Sequence, residues 1–301
     1  MPYPSSCTRQ QLIQAVARRL EAAGLVFGHG TENAGDEAAW LVIQALGFSP
    51  AEPLPEPSTA VQSREIERVE ALLQKRIQTR KPLAYLLNSA WFAGLEFYVD
   101  ERVIVPRSPI AELIEREFSP WLTATPRNIL DLCTGSGCIA IACAYQFTDA
   151  KVEATDISTA ALEVAAINRR KHRLEDRVTL MQADVYAGLP KRRYDIIVSN
   201  PPYVDVDAMA DLPAEYRSEP ELALAAGDDG LKIVRRILRD ASEYLNPEGI
   251  LICEVGDSEE ALAAAFPEVP FVWLEFEFGG HGVFLLTAED LRAHRDVLHR
   301  L

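Results

Sequence analysis

The chain contains no apolar run approaching the roughly 20 residues that span a bilayer, and its start, Met1-Pro2-Tyr3-Pro4-Ser5-Ser6-Cys7, lacks the charged and apolar regions of a signal peptide. The expected location is cytoplasmic, with no membrane partner. Cysteine is scarce: of five, Cys133, Cys138, Cys143 and Cys253 sit in apolar strand or helix patterns, which reads as reduced core residues and excludes a disulfide framework. The five histidines are scattered and no Cys and His spacing resembles a zinc site, so no metal is expected. Positive charge is also in short supply. A formal net charge of -15 argues against a protein that grips duplex DNA or naked RNA through phosphates. Two basic clusters, Arg169-Arg170-Lys171-His172-Arg173 and Lys191-Arg192-Arg193, read as solvated helix ends and loops. Internal repeats and low-complexity segments are absent.

What is present suits one large domain and one small one, since 301 residues with 48% hydrophobic content can bury a full core. The spacing of Leu12, Ile13, Val16, Ala17 and Leu20 predicts a helix over 8–25, and a second is expected over 37–47. The proline-rich stretch 50–57 is an expected loop. A third helix is expected over 64–81, ending before Pro82. Residues 91–106 alternate and read as a hairpin whose aromatics could wall a pocket or simply pack. The expected organisation is therefore a helical domain over 1–86, a connecting hairpin over 87–106 and an α/β domain over 107–301.

In the last region strands are expected near 128–133, 151–155, 177–182, 194–199 and 249–255, and helices near 137–146, 158–171 and 229–245. Such alternation produces a doubly wound, Rossmann-like α/β fold with a parallel sheet. The apolar runs 271–276 and 282–287 would complete the sheet with an antiparallel edge. Ligands in such sheets bind beyond the carboxyl ends of the strands. There the strand Asn128 to Cys133 runs into Thr134-Gly135-Ser136-Gly137, whose glycines can take positive φ and let a ligand approach the backbone. The next strand ends in Asp156, about 20 residues beyond the glycines, where an acid can bind ribose hydroxyls. Together these define a nucleoside cofactor site. Asp131 would lie near the cofactor's charged end and Asp184 near its base, with a helix cap or an exposed turn acid as the alternative for each.

The expected strand 194–199 runs into Asn200-Pro201-Pro202-Tyr203. A planar amide or aromatic amine has its lone pair delocalised, so a methyl donor is attacked only where the site holds the NH2 group and lets charge build on nitrogen. The Asn200 side-chain oxygen and the Pro201 carbonyl could each accept one N–H. The prolines limit the freedom of that carbonyl, while Tyr203 offers a flat face to a planar acceptor. By itself Asn-Pro-Pro is more often a turn that closes a strand; its position after a buried strand, downstream of a cofactor signature, favours the functional reading.

The order Asp131-Leu132-Cys133-Thr134-Gly135-Ser136-Gly137, then Asp156, then Asn200-Pro201-Pro202-Tyr203 resembles the S-adenosylmethionine-dependent glutamine N5-methyltransferases related to HemK. The resemblance covers nearly the whole chain and implies a class I methyltransferase fold, with S-adenosylmethionine as cofactor and a glutamine of a translation protein as substrate. Carried onto this sequence, it implies that Asp156 binds the ribose, Gly135 the methionine portion, and Asn200 with Tyr203 the target glutamine; Asp131, Thr134, Gly137, Asp184 and Asn200 are further candidates at the cofactor, Pro201 and Pro202 at the glutamine, and Asn200, Pro201 and Tyr203 are the candidate catalytic residues. The family usually carries glycine where this chain has Cys133. Arg107 and Glu112 match a drifted Pro-Arg-Pro-x-Thr-Glu stretch, as site-shaping residues. The helical domain serves substrate recognition in the family, against simple helical packing.

The segment Leu212-Pro213-Ala214-Glu215-Tyr216 and the stretch Gly279-Gly280-His281-Gly282-Val283-Phe284 resemble the branch that methylates the third protein of the large ribosomal subunit. Ribosomal proteins are basic and this chain is acidic, so attraction before assembly into the particle is expected. The release factor branch, adenine N6 methylation of nucleic acid and an assembly factor with a dead cofactor site are the alternatives.

Overall fold

Thr8 starts the first helix with a capping box: its hydroxyl accepts the Gln11 N–H at 3.3 Å while the Gln11 side chain accepts the Thr8 N–H at 3.0 Å. This is a computed structural model that describes residues 7–50, 52, 54–122 and 124–300. The start at 1–6 and residues 51 and 53 of the expected loop lie outside the described residues. By contacts the chain divides into two compact units, Met1–Ala90 with Pro213–Ser218, and Trp91–Leu212 with Glu219–Leu301. The sequence reading had placed Pro213–Ser218 with 107–301; Glu215, fully buried, accepts the Val26 N–H at 3.1 Å and pairs with Arg80 at 2.8 Å, which joins this segment to the helical unit.

The first unit is helical: α1 (Arg9–Ala22), α2 (Ala34–Ala45), α3 (Ser63–Thr79) and α4 (Leu83–Leu87). Leu12, Val16 and Leu20 are fully buried, as their spacing predicts. Asn33 caps α2 through the Asp36 N–H at 2.9 Å, so the helix begins at Ala34, three residues upstream of the expected start at 37. α3 stops at Arg80, which is left-handed with φ 61. Pro82 then caps the short α4, which the sequence reading did not anticipate.

The second unit opens on the hairpin strands β1 (Ala90–Phe92) and β2 (Leu95–Phe97), joined by Ala93 and Gly94 with φ 47 and 70. The hairpin is shorter than the expected 91–106. Beyond it Asp100 accepts the Arg102 N–H at 3.1 Å and the Arg102 guanidinium, which turns the chain away from strand pairing. There follow α5 (Ile110–Glu115), β3 (Asn128–Leu132), α6 (Cys138–Gln146), β4 (Lys151–Asp156), α7 (Thr159–Lys171), β5 (Val178–Gln182), β6 (Tyr194–Ser199), α8 (Val206–Asp211), α9 (Lys232–Tyr244), β7 (Leu245–Glu254), α10 (Glu259–Ala265), β8 (Val272–Trp273), β9 (Val283–Thr287), α11 (Ala288–Ala293) and α12 (Arg295–Leu298).

Seven strands form one sheet in the order β5-β4-β3-β6-β7-β9-β8. The pairs from β5 through β7 are parallel, and β9 runs antiparallel to β7 and to β8. The antiparallel strand is therefore second from the edge. The edge itself is the two-residue β8, because the run 271–276 pairs only at Val272 and Trp273. Alternate residues of each strand feed opposite faces: Ile129, Ile196 and Ile250 one core, Leu130, Ile197 and Leu251 the other. Order reverses at β3, whose neighbours β4 and β6 lie on either side, so a crevice opens at the carboxyl ends of these strands.

Candidate active site

Register aligns four strand ends. Leu132 pairs with Thr155 and with Ser199, and Asp156 with Gln182, so the glycine turn, Asp156, Asp184 and Asn200 follow four adjacent strands at one edge of the sheet. A cavity of about 330 Å3 lies there. Gly135, Asp156, Asp184, Asn200 and Pro202 line it, together with Cys133. Asp131, Thr134, Gly137, Pro201 and Tyr203 do not, and each has a structural place of its own.

The glycine turn is built by hydrogen bonds from both sides. Asp131 is fully buried, and its Oδ2 accepts the Thr134 hydroxyl and the Ala140 N–H at the start of α6. Its Oδ1 is buried with no hydrogen-bond partner among the described residues. Burial raises the carboxyl from 3.8 to about 7, against the lowering effect of its two donors. Gly135 has φ 53, and a Cβ there would meet no atom within 4 Å, so the turn leaves open space at a cavity-lining position. Gly137 has φ 81 and caps α6; a Cβ would come within 3.3 Å of the Ala165 Cβ on α7, so this glycine serves helix packing.

Cys133 also has positive φ, at 58. The backbone at this position favours the glycine that the resembled family carries, and Cys133 lines the cavity at the expense of that strain. Burial pushes the thiol well above its usual range, so it is no nucleophile at neutral pH. All five cysteines are free thiols.

Asp156 Oδ2 accepts the Gly135 N–H and Oδ1 the Ser158 N–H, both at 2.9 Å, and burial raises its carboxyl. Each oxygen keeps a lone pair for a ligand hydroxyl. Asp184 Oδ1 accepts from the Arg236 guanidinium at 2.8 Å, which holds its carboxyl below the ordinary value. Arg102, Val103 and Ile104 form another wall, and Pro220, Leu222, Ala223, Lys232, Ile233 and Arg236 a third. The sequence reading missed these. Arg236 sits on the helix expected near 229–245, and only its salt bridge to Asp184 across 52 residues reveals it. The hairpin aromatics are not in the cavity; Phe92 and Phe97 are core.

The Asn200-Pro201-Pro202-Tyr203 motif is held from behind. Ser199 donates to the Leu132 carbonyl at 2.8 Å, tying β6 to β3 beside Asn200. Pro201 is buried. The Tyr203 hydroxyl donates to Glu254 Oε1 at 3.0 Å, its carbonyl accepts from Ser258 at 2.9 Å, and a Cβ on Gly256 would fall 2.6 Å from its ring. Glu254, fully buried at the end of β7, also accepts from Ser108, and burial raises both its carboxyl and the Tyr203 phenol. Arg107 forms a two-bond pair with Glu219, at 2.6 and 2.8 Å. Glu112 accepts the Glu277 and Phe278 N–H groups at 3.0 Å each, away from the cavity lining.

These residues fit S-adenosylmethionine. An orphaned carboxylate oxygen beneath the turn suits a ligand ammonium, the Gly135 cradle a close ligand and Asp156 a diol. Among the described residues no cluster of three or more His, Cys, Asp or Glu is arranged to hold a metal, and no helix is long and apolar enough to cross a membrane.

Comparison with known proteins agrees. Residues 116–214 match the family described as Methyltransferase small domain, and residues 11–87 that described as PrmC N-terminal domain. The chain is 46% identical over 283 residues to the ribosomal protein uL3 glutamine methyltransferase of Francisella tularensis, covering 93% of this chain and 90% of that one. It is 46% identical over 286 residues to the protein of the same name from Neisseria meningitidis, covering 94% of each. Among solved structures, the hMettl16 catalytic domain in complex with MAT2A 3'UTR hairpin 6 superposes with a TM-score of 0.50 at 18% identity, over 75% of this chain and 81% of that one, a likeness of fold. The protein is an S-adenosylmethionine-dependent methyltransferase with a class I fold, and the chain belongs to the ribosomal protein uL3 glutamine methyltransferase family.

Proposed function

We propose that this protein methylates the side-chain amide nitrogen (N5) of a glutamine in ribosomal protein uL3, in the cytoplasm. The observation that carries the chemistry is Asn200 lining one cavity with Gly135, Asp156 and Asp184. S-adenosylmethionine, when bound, supplies an electrophilic methyl on a sulfonium. The chain's own residues then have a positioning task. The Asn200 side-chain oxygen and the Pro201 carbonyl each accept one N–H of the glutamine amide, Pro202 bounds the cavity beside them, and Tyr203 fixes the loop through Glu254 and Ser258. The amide becomes more acidic as nitrogen gains the methyl, so no strong base is needed first; its proton leaves through Asn200, the Pro201 carbonyl or water. Gly135 and Asp156, which line the cavity, would hold the cofactor, Asp131 would act from behind the turn through its unpartnered Oδ1, and Asp184 and Arg236 border the cavity.

The test is transfer from labelled S-adenosylmethionine to unmethylated uL3, a release factor and adenine-containing DNA in parallel, with mass mapping of the product. Label on a glutamine of uL3 alone is expected. Label on the release factor instead overturns the target, and label on DNA overturns the amide chemistry. The net charge of -15 and the similarity to two uL3 enzymes favour the expected outcome.

A further inference from the structure

The sequence reading took Lys191-Arg192-Arg193 as a solvated loop. In the sheet unit this run is not alone: Lys191, Arg192, Arg193, Arg292 and Arg295 line one surface cavity of about 770 Å3, with Tyr244 in its wall. The two basic segments are distant in sequence and converge on backbone. The Arg193 guanidinium donates to the Leu245 carbonyl at 2.6 Å, and that of Arg292 reaches the same oxygen at 3.5 Å and the Asn246 carbonyl at 3.4 Å. Neutral carbonyls, not acids, therefore hold these two cations side by side, and each guanidinium keeps most of its five donors.

Two carboxylates answer the five cations. Glu153 pairs with Arg192, and Glu243, at the cavity wall, pairs with Arg295 at 2.6 Å. Lys191, Arg193 and Arg292 have no ion pair among the described residues, and the acids Glu289 and Asp296 of α11 and α12 are not part of the lining. A local excess of positive charge thus stands against the formal net charge of -15 of the whole chain. Its place is set by the sheet. Tyr194 begins β6 and Leu245 begins β7, so this cavity lies at the amino ends of strands whose carboxyl ends carry the cofactor cavity. One length of β6, roughly 20 Å at 3.3 Å per residue, separates the two.

We propose that this cavity is a docking surface for the phosphate backbone of single-stranded RNA. Arginine forks match phosphate oxygens with two bonds each, and a cleft lined by one sign of charge focuses its field on a polyanion. Tyr244 adds an aromatic ring among the cations, braced by stacking on Tyr186 with centroids 4.5 Å apart, which is the combination that unpaired bases and their phosphates bind. The acidic remainder of the chain repels RNA and confines the contact to this face. The proposal rests on the uL3 reading and adds a second partner to it: a ribosomal protein assembles with RNA, and this end of the sheet holds the RNA while the opposite end takes the glutamine.

The test is fluorescence anisotropy of a labelled 12-nucleotide single-stranded RNA with full-length protein. Wild type should bind with a dissociation constant of about 1–100 μM, and three unpaired cations predict a slope of about -2 in log affinity against log salt. The double charge reversal Lys191→Glu with Arg295→Glu removes no backbone hydrogen bond and should weaken binding at least about tenfold. The same charge change made outside the lining, at Arg68→Glu with Arg170→Glu, should weaken it much less. No binding by wild type, a flat salt dependence, or equal losses in the two double variants would overturn the proposal. Displacement of the RNA by oligoglutamate as readily as by unlabelled RNA would overturn it in favour of an acidic peptide, and displacement by millimolar inorganic phosphate in favour of a free anion. Should the double variant melt early, Lys191→Glu alone, on an exposed loop, and the wild-type salt slope decide the question. The assay needs neither cofactor nor protein acceptor, so failure to methylate uL3 would strike the target alone and failure to bind RNA the docking surface alone.

Discussion

The two sides of the cavity are made in opposite ways. The glycine-turn side, proposed to hold the cofactor, is assembled from near neighbours: Thr134 and Ala140 both donate to Asp131 within ten residues, and Asp156 accepts from Gly135 across one strand pair. The proposed acceptor side depends on distant segments, with Tyr203 held by Glu254 and Ser258 more than 50 residues away and packed against Gly256. The difference teaches that a glycine turn at a strand end is a local invention, whereas a rigid proline loop takes its position from whatever packs behind it.

Substitutions can break this contrast. Asn200→Ala should cause the largest loss, about 100- to 1000-fold in turnover by analogy with removal of one preorganised hydrogen-bonding group, with cofactor affinity kept. Near-normal turnover would remove Asn200 from its role. Asp156→Ala should do the reverse and weaken cofactor affinity by about 10- to 100-fold, since two backbone donors and a ligand diol lose an anionic acceptor; titration calorimetry checks it, and an unchanged constant would dismiss the ribose assignment. Gly256→Ala probes the acceptor side from behind. Overpacking against a pinned ring should cost about 1–3 kcal/mol of stability and lower turnover without touching cofactor affinity, measured by urea unfolding beside the transfer assay.

Cys133→Gly sharpens the contrast in the other direction. Relief of a left-handed non-glycine residue should stabilise the fold by about 1 kcal/mol, visible as a raised melting temperature; a lowered one would mean the side chain is needed. The smallest effect is expected at Asp184, whose carboxyl lies below its ordinary value because Arg236 donates to it. A depressed folded value means that the pair stabilises above the unfolded value near 3.8 and loses that contribution as pH falls through the folded one. For so exposed a pair, Asp184→Asn should cost about 0.2–1 kcal/mol at pH 7, and progressively less as acid protonates the wild type, as urea midpoints followed from pH 7 downward would record.

Much of the sheet was legible because its strands are buried on both faces and read as apolar runs between breakers. Asn128, Lys151 and Tyr194 begin strands where the pattern predicts. The hairpin was overread, since Val99, Val103 and Val105 are buried and alternate like a strand but lie outside the strands Ala90–Phe92 and Leu95–Phe97. The wall formed by Pro220, Leu222 and Ala223 was invisible because nothing local marks an irregular loop as cavity-facing. Arg107 attracted notice through a motif, yet its partner Glu219 is 112 residues on, beyond any periodicity.

Periodicity, the glycine turn, Asp156 and Asn200-Pro201-Pro202-Tyr203 are local properties; from them the sequence by itself determined the α/β class and a nucleoside cofactor and led to the expectation of a planar nitrogen acceptor, while S-adenosylmethionine entered through the family resemblance that the same motifs carry. The tertiary structure decided the rest: that Asp131 keeps an orphaned oxygen near neutrality, that Tyr203 is clamped by Glu254, and that Glu215 draws Pro213–Ser218 into the helical unit. The physical reason is desolvation. A carboxylate's cost and its partners depend on what surrounds it in space, and for Glu254 and Glu215 those surroundings come from segments that the order of the chain does not bring together.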